Sequence, residues 1–140
     1  MDTTKYGKYI LTEQGGTKTL PGTGIKPVVL EGIKDWGGIR HRMHWKFVTA
    51  PGVVMDTPHR HDFDEFLIFL SCTPDDELNF DAVIELGLGP DGDKQVITVP
   101  TIVCLPEGLA HGPLDFKGVG KPVLFSHIYL SPEYRRLPVA

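Results

Sequence analysis

Glycine and proline punctuate this chain so often that long regular elements have no room. Of 140 residues, 16 are glycine and 12 are proline. The runs between them are short and mostly apolar, and one alternates every two residues. Many short elements joined by turns make an all-β pattern. Apolar residues supply 41% of the chain and charged residues 23%, a globular composition with enough apolar side chains for a core. The length suits one domain.

The runs can be placed. Residues 1–27 read as an irregular arm, with turn signals at Gly15-Gly16 and from Pro21 to Gly24. Val28 to Leu30 reads as a short strand, and Gly37-Gly38 as a turn. Ile39 to Thr49 alternates: Ile39, His41, Met43, Trp45 and Phe47 share one face, and Arg40, Arg42, His44 and Lys46 the other. Burying unpaired cations is costly, so the first face is expected to point inward and the second to solvent. Glu65 to Leu70, Ala82 to Leu88, Gln95 to Val99, Thr101 to Leu105 and Val123 to Leu130 are further strands. Gly89 to Asp93 reads as the turn of a hairpin. Thr73 to Leu78 is acidic and suits a loop or one helical turn. The expected organisation is an arm over 1–27, a barrel or sandwich over 28–130 and a tail over 131–140.

Charge and termini narrow the class. A net charge of -4 argues against a nucleic-acid partner. No apolar run is long enough for a spanning helix, and the polar start, Met1 to Tyr9, does not resemble a signal peptide. The expected compartment is the cytoplasm. Two cysteines, Cys72 and Cys104, are too few for a disulfide framework and read as reduced, partly buried thiols.

Two segments carry chemistry. In Pro58-His59-Arg60-His61-Asp62-Phe63-Asp64-Glu65, two histidines two apart share a strand face, their Cα atoms about 6.5 Å apart. Glu65 joins them either by strand parity or through a tight turn at Asp62 to Asp64. Neutral imidazoles beside one carboxylate suit a divalent ion. In Leu105-Pro106-Glu107-Gly108-Leu109-Ala110-His111, Pro106 and Gly108 make a turn that returns His111 from another strand.

HxHxxxE followed by PxGxxH resembles the two sequence motifs of the cupin superfamily. The resemblance implies a double-stranded β-helix, or jelly-roll, over roughly residues 28–130. It implies that His59, His61, Glu65 and His111 bind one divalent transition-metal ion: Mn, Fe, Co, Ni or Zn. Cys72, Pro100 and Asp115 stand where the family often has glycine, glycine and asparagine. Small cupins commonly dimerise, so a homodimer is expected.

His41 and His127 are the candidate catalytic acid/base residues. Both faces of Val123 to Leu130 are apolar, so parity does not assign His127. Trp45, Phe47, Leu67 and Phe69 are candidate cavity walls. The reading is a metal-dependent enzyme on a small oxygen-bearing metabolite. Isomerisation, hydrolysis or lyase chemistry is favoured over dioxygenation, because His41 offers a proton carrier. Alternatives are a non-catalytic binding barrel, such as a metabolite sensor, and a structural metal barrel.

Overall fold

The computed structural model describes residues 5–6, 28–31, 40–131 and 135–139, with residues 28–31 described by their backbone pairing. The arm over 1–27, save a turn at Lys5 and Tyr6, and the turn expected at Gly37-Gly38 lie outside them. The described residues form nine strands: β1 (Val28–Glu31), β2 (Arg42–Val48), β3 (Gly52–Met55), β4 (Glu65–Ser71), β5 (Ala82–Leu88), β6 (Asp93–Ile97), β7 (Thr101–Leu105), β8 (His111–Val119) and β9 (Val123–Tyr129). They pair antiparallel in two sheets, ordered β1-β2-β9-β4-β7 and β3-β8-β5-β6. The fold is all-β, as expected. Among the described residues no helix is long and apolar enough to cross a membrane.

Alternation in β4 and β5 buries Glu65, Leu67 and Phe69 on one strand and Ala82, Ile84 and Leu86 on the other. These residues face one another across the two layers. Phe69 stacks on Phe125 with centroids 5.0 Å apart, and Phe116 meets Phe125 edge-on at 5.7 Å. Leu114, Val123 and Leu105 complete that apolar centre. The hairpin forms where expected, but pairing starts at Leu88 with Asp93, so β6 begins two residues earlier than the alternation of Gln95 to Val99 indicated.

Two strands were not anticipated. β3 is four residues between prolines. β8 contains Gly112-Pro113, joined by a cis peptide bond, and Gly118, and reads as a turn in sequence. Pairing with β5 makes it the nine-residue strand that links β3 to the rest of its sheet.

β2 faces the opposite way from expectation. Lys46 is 2% exposed, whereas Trp45 and Phe47 are each 39% exposed. The register sets Arg42, His44 and Lys46 beside Tyr129, His127 and Phe125 of β9, which are all buried. Met43, Trp45 and Phe47 fall on the outer face, beside Ile128, Ser126 and Leu124. That outer face is itself apolar, extended by Leu70 and Ile102. The cost of burying cations therefore did not decide the orientation. The Lys46 ammonium lies 4.9 Å from the centre of the Phe125 ring, a favourable contact that offsets part of that cost. Of the cavity walls proposed, Leu67 and Phe69 are core and Trp45 and Phe47 lie outside. Cys72 is half-buried and Cys104 exposed, both free thiols.

Candidate metal centre

The inner face of the five-stranded sheet is ordered by register. Its apolar end is the row Lys46–Phe125–Phe69, followed by His44–His127–Leu67 and then Arg42–Tyr129–Glu65. Polar groups thus accumulate at the end where β4 begins. The segment after β3 reaches the same end. His59 and His111 exchange backbone hydrogen bonds of 2.9 and 2.8 Å, which sets their rings 4.5 Å apart.

A bulge aims His111. Leu86 pairs with Leu114 and Leu88 with His111, so two steps on β5 span three on β8. Strict alternation would send His111 outward with Pro113 and Asp115; the extra residue turns it inward beside Leu114 and Phe116. Gly112 takes that strain with a φ of 108°. A Cβ on it would sit 3.1 Å from the Thr57 carbonyl oxygen, so the close approach of the two histidine segments needs glycine there.

The turn after His61, not continued strand parity, brings Glu65 round. Gly108 donates to the His61 carbonyl at 2.8 Å, and the Glu107 amide to Asp64 Oδ1 at 2.9 Å. The PxGxxH corner is thereby docked on the HxH segment. The chain's end docks there too: Arg60 and Leu137 exchange backbone bonds, and Arg135 grips the Asp62 carboxylate.

The donor atoms converge. His59, His61 and His111 bring ring nitrogens within 4.8 Å of one another, and all three are buried. Glu65 Oε2 lies 3.1 Å from His111 Nε2 and 3.4 Å from His61 Nε2. Each imidazole has its Nδ1 against a backbone carbonyl: Thr57 for His59, Arg135 for His61 and Leu109 for His111. Nδ1–H donating to those carbonyls leaves Nε2 as a lone pair turned inward. Burial lowers His59 and His61 to about 4, so both rings are neutral near pH 7. The Nε2 atoms of His59 and His111 and both Glu65 oxygens are buried without a hydrogen bond. Acceptors therefore face acceptors at about 3 Å, an arrangement that a cation resolves. The residues present fit a divalent ion.

His127 lies beside this cluster. Its Nδ1 is 3.9 Å from Glu65 Oε1 and within hydrogen-bond distance of the Tyr129 hydroxyl. Burial first, then its neighbours His44, Lys46 and Arg42, holds it well below its usual range. β9 parity, unreadable from sequence, thus places His127 inside. His41 does not share that placement. It lies half-buried one residue before β2, with the parity of outward Met43 and Trp45, and the inward position expected for it belongs to His44. The His44 ring sits 4.3 Å from that of His127. Tyr129 had a signal, since any strand that turns His127 inward turns it inward as well. Nothing in the sequence marked Lys46 as buried.

No protein-family model matches the chain, and no curated protein matches it. Solved structures do. An oxalate oxidase in complex with glycolate is 15% identical, with 93% of this chain and 63% of that chain aligned at a TM-score of 0.58. The polyketide cyclase RemF of Streptomyces resistomycificus is 21% identical over 81% of this chain and 67% of its own, at 0.52. A variant of the Bacillus subtilis oxalate decarboxylase OxdC is 15% identical over 91% of this chain, at 0.54. The chain spans 28% of that decarboxylase. At these identities the likeness is one of fold.

Proposed function

We propose that this chain, which has the cupin fold, holds one divalent transition-metal ion through His59, His61, Glu65 and His111 and acts as a metal-dependent enzyme on a small oxygen-bearing metabolite. The facing acceptors of His59, His111 and Glu65 carry the reading. Each unpaired buried acceptor costs about 1–3 kcal/mol, and one cation would satisfy them together. Three nitrogens and one oxygen suit Mn, Fe, Co, Ni or Zn. A bound ion supplies Lewis acidity and lowers the pKa of a water it holds.

The chain's own residues favour acid–base over oxidative chemistry. His127 is kept neutral, with Nδ1 on the Tyr129 hydroxyl and Nε2 buried without a partner. A neutral imidazole oriented in this way can take a proton at Nε2 while the phenol steadies the other nitrogen. Core residues below it, Leu67 and Phe125, exclude water.

Elemental analysis of anaerobically purified protein tests the reading. Wild type should carry about one transition metal per chain, and a folded His59→Ala/His111→Ala variant none. Wild type that stays metal-free after reconstitution would overturn it and leave a metal-free binding barrel.

A further inference from the structure

The register of the five-stranded sheet sets out its outer face in rows. Trp45, Ser126, Ile68 and Ile102 stand side by side on β2, β9, β4 and β7. The row on one side runs from Met43 to Cys104, and the row on the other from Phe47 to Leu70. None of the three rows contains a charged side chain. The Ser126 hydroxyl already donates to the His44 carbonyl at 2.9 Å, so drying this face does not strand it. Trp45, Phe47, Leu70 and Ile102 are between 39% and 63% exposed. With their half-buried neighbours they offer roughly 500–800 Å² per chain, which reaches the largest apolar patch usual on a monomer and matches what each side of a specific interface buries.

The edge of the sheet agrees with its face. Among the described strands β7 pairs with β4 alone, and its sequence, TIVCL, holds neither a charge nor a proline. β6, an edge of the other sheet, carries Asp93 and Lys94. Charges of that kind keep a free edge from adhering, and β7 has none. The outer face of the four-stranded sheet is likewise charged, with Glu85, Lys94, Asp115 and Lys117 in ion pairs.

We propose that a second copy of this chain covers the outer face of the five-stranded sheet, the two protomers meeting sheet against sheet about a two-fold axis. A two-fold sets each surface patch against its own copy, which brings like charges together wherever a patch is charged. The three uncharged rows avoid that conflict. Trp45 and Phe47, edge-on with ring centres 6.0 Å apart, are the anchors of the contact, since large rings bury the most apolar area. A lipid surface fits less well, because the rows offer no basic side chain to its headgroups and the chain carries a net charge of -4. The inference is independent of the metal reading, whose residues lie on the inner face.

Sedimentation equilibrium of the full chain tests it. Wild type should be dimeric at about 100 μM. Trp45→Lys and Ile102→Lys should each raise the dissociation constant about 100-fold or more, because the two-fold repeats every substitution. Val96→Lys, at an exposed position on the outer face of the four-stranded sheet, should leave it unchanged. Wild type that is monomeric at that concentration overturns the inference and leaves the face to another occupant. A dimer that both Trp45→Lys and Ile102→Lys leave intact, or that Val96→Lys weakens as much, overturns it too. Wild type also supplies a readout that needs no variant. Cys104 is exposed and stands opposite Phe66 on this face. Its alkylation by excess iodoacetamide, followed by peptide mass spectrometry, should slow as the protein concentration rises through the dissociation constant. A rate that does not change across that range overturns the inference.

Discussion

A single lysine shows what burial costs in this barrel. Burial holds Lys46 at about 7 against an ordinary 10.5. Between those values the unfolded chain keeps a proton that the folded one has shed, so the contribution of this residue to stability rises as pH rises from about 7 to 10.5. Lys46→Met should flatten that rise and add about 1–4 kcal/mol at pH 7, read by urea unfolding across a pH series. His44 has the same sign over a lower window, from about 3 to 6.5. Burial, then Lys46 and Arg42, lowers it to about 3, so its contribution is present above pH 6.5 and is lost as pH falls below that.

Two elements make the metal centre: the bulge in β8 and the tail over 135–139. Gly87 lies across from the bulge, and a Cβ on it would stand 2.5 Å from the Gly112 carbonyl oxygen. Neither contact can relax by moving a side chain, since both neighbours are backbone. Gly87→Ala and Gly112→Ala should each destabilise the fold by about 1–3 kcal/mol or more, measured by thermal or urea unfolding. Gly112→Ala should also lower metal content, because it disturbs the turn that aims His111. The tail acts on a different ligand. The Arg135 carbonyl accepts from His61 Nδ1, and Arg60 and Leu137 pair beside it. Truncation after Ser131 should weaken metal affinity about 10–100-fold, measured by chelator competition, while the strands stay folded by circular dichroism.

Across the whole molecule the two ends of the barrel have separate duties. Phe69, Phe116 and Phe125 hold the sheets together at the apolar end, and the histidines gather at the other. Phe116→Ala should cost about 3–5 kcal/mol and leave about one metal per chain in the folded fraction. The outer faces differ as well. Glu85, Lys94, Asp115 and Lys117 exchange ion pairs on the four-stranded sheet, which reads as a solvated surface. The five-stranded sheet turns Trp45, Phe47, Leu70 and Ile102 outward, and that is why polarity alone did not show which side of β2 was inside.

Much of this architecture was legible as local pattern. Alternation located β2, and short apolar runs between turn signals located β4, β5, β7 and β9, because both are properties of the chain itself. The residues that gather at the centre, His59, His61, Glu65 and His111, stood out by type and spacing, since two short segments carry them all. Orientation was not legible. Alternation says which residues share a face and never which face is inside, so His41 and His44 exchanged places and Lys46 went into the barrel. β8 was hidden because Gly112 and Pro113 look like a turn until β5 pairs with them. His127 could be placed only by its neighbours across the sheet, His44 and Leu67. Neighbours along the chain were enough for seven of the nine described strands and for the donor set. Tertiary structure alone decided the inner face of β2, the bulge and the tail's hold on His61, because those depend on groups far apart in sequence competing for one interior.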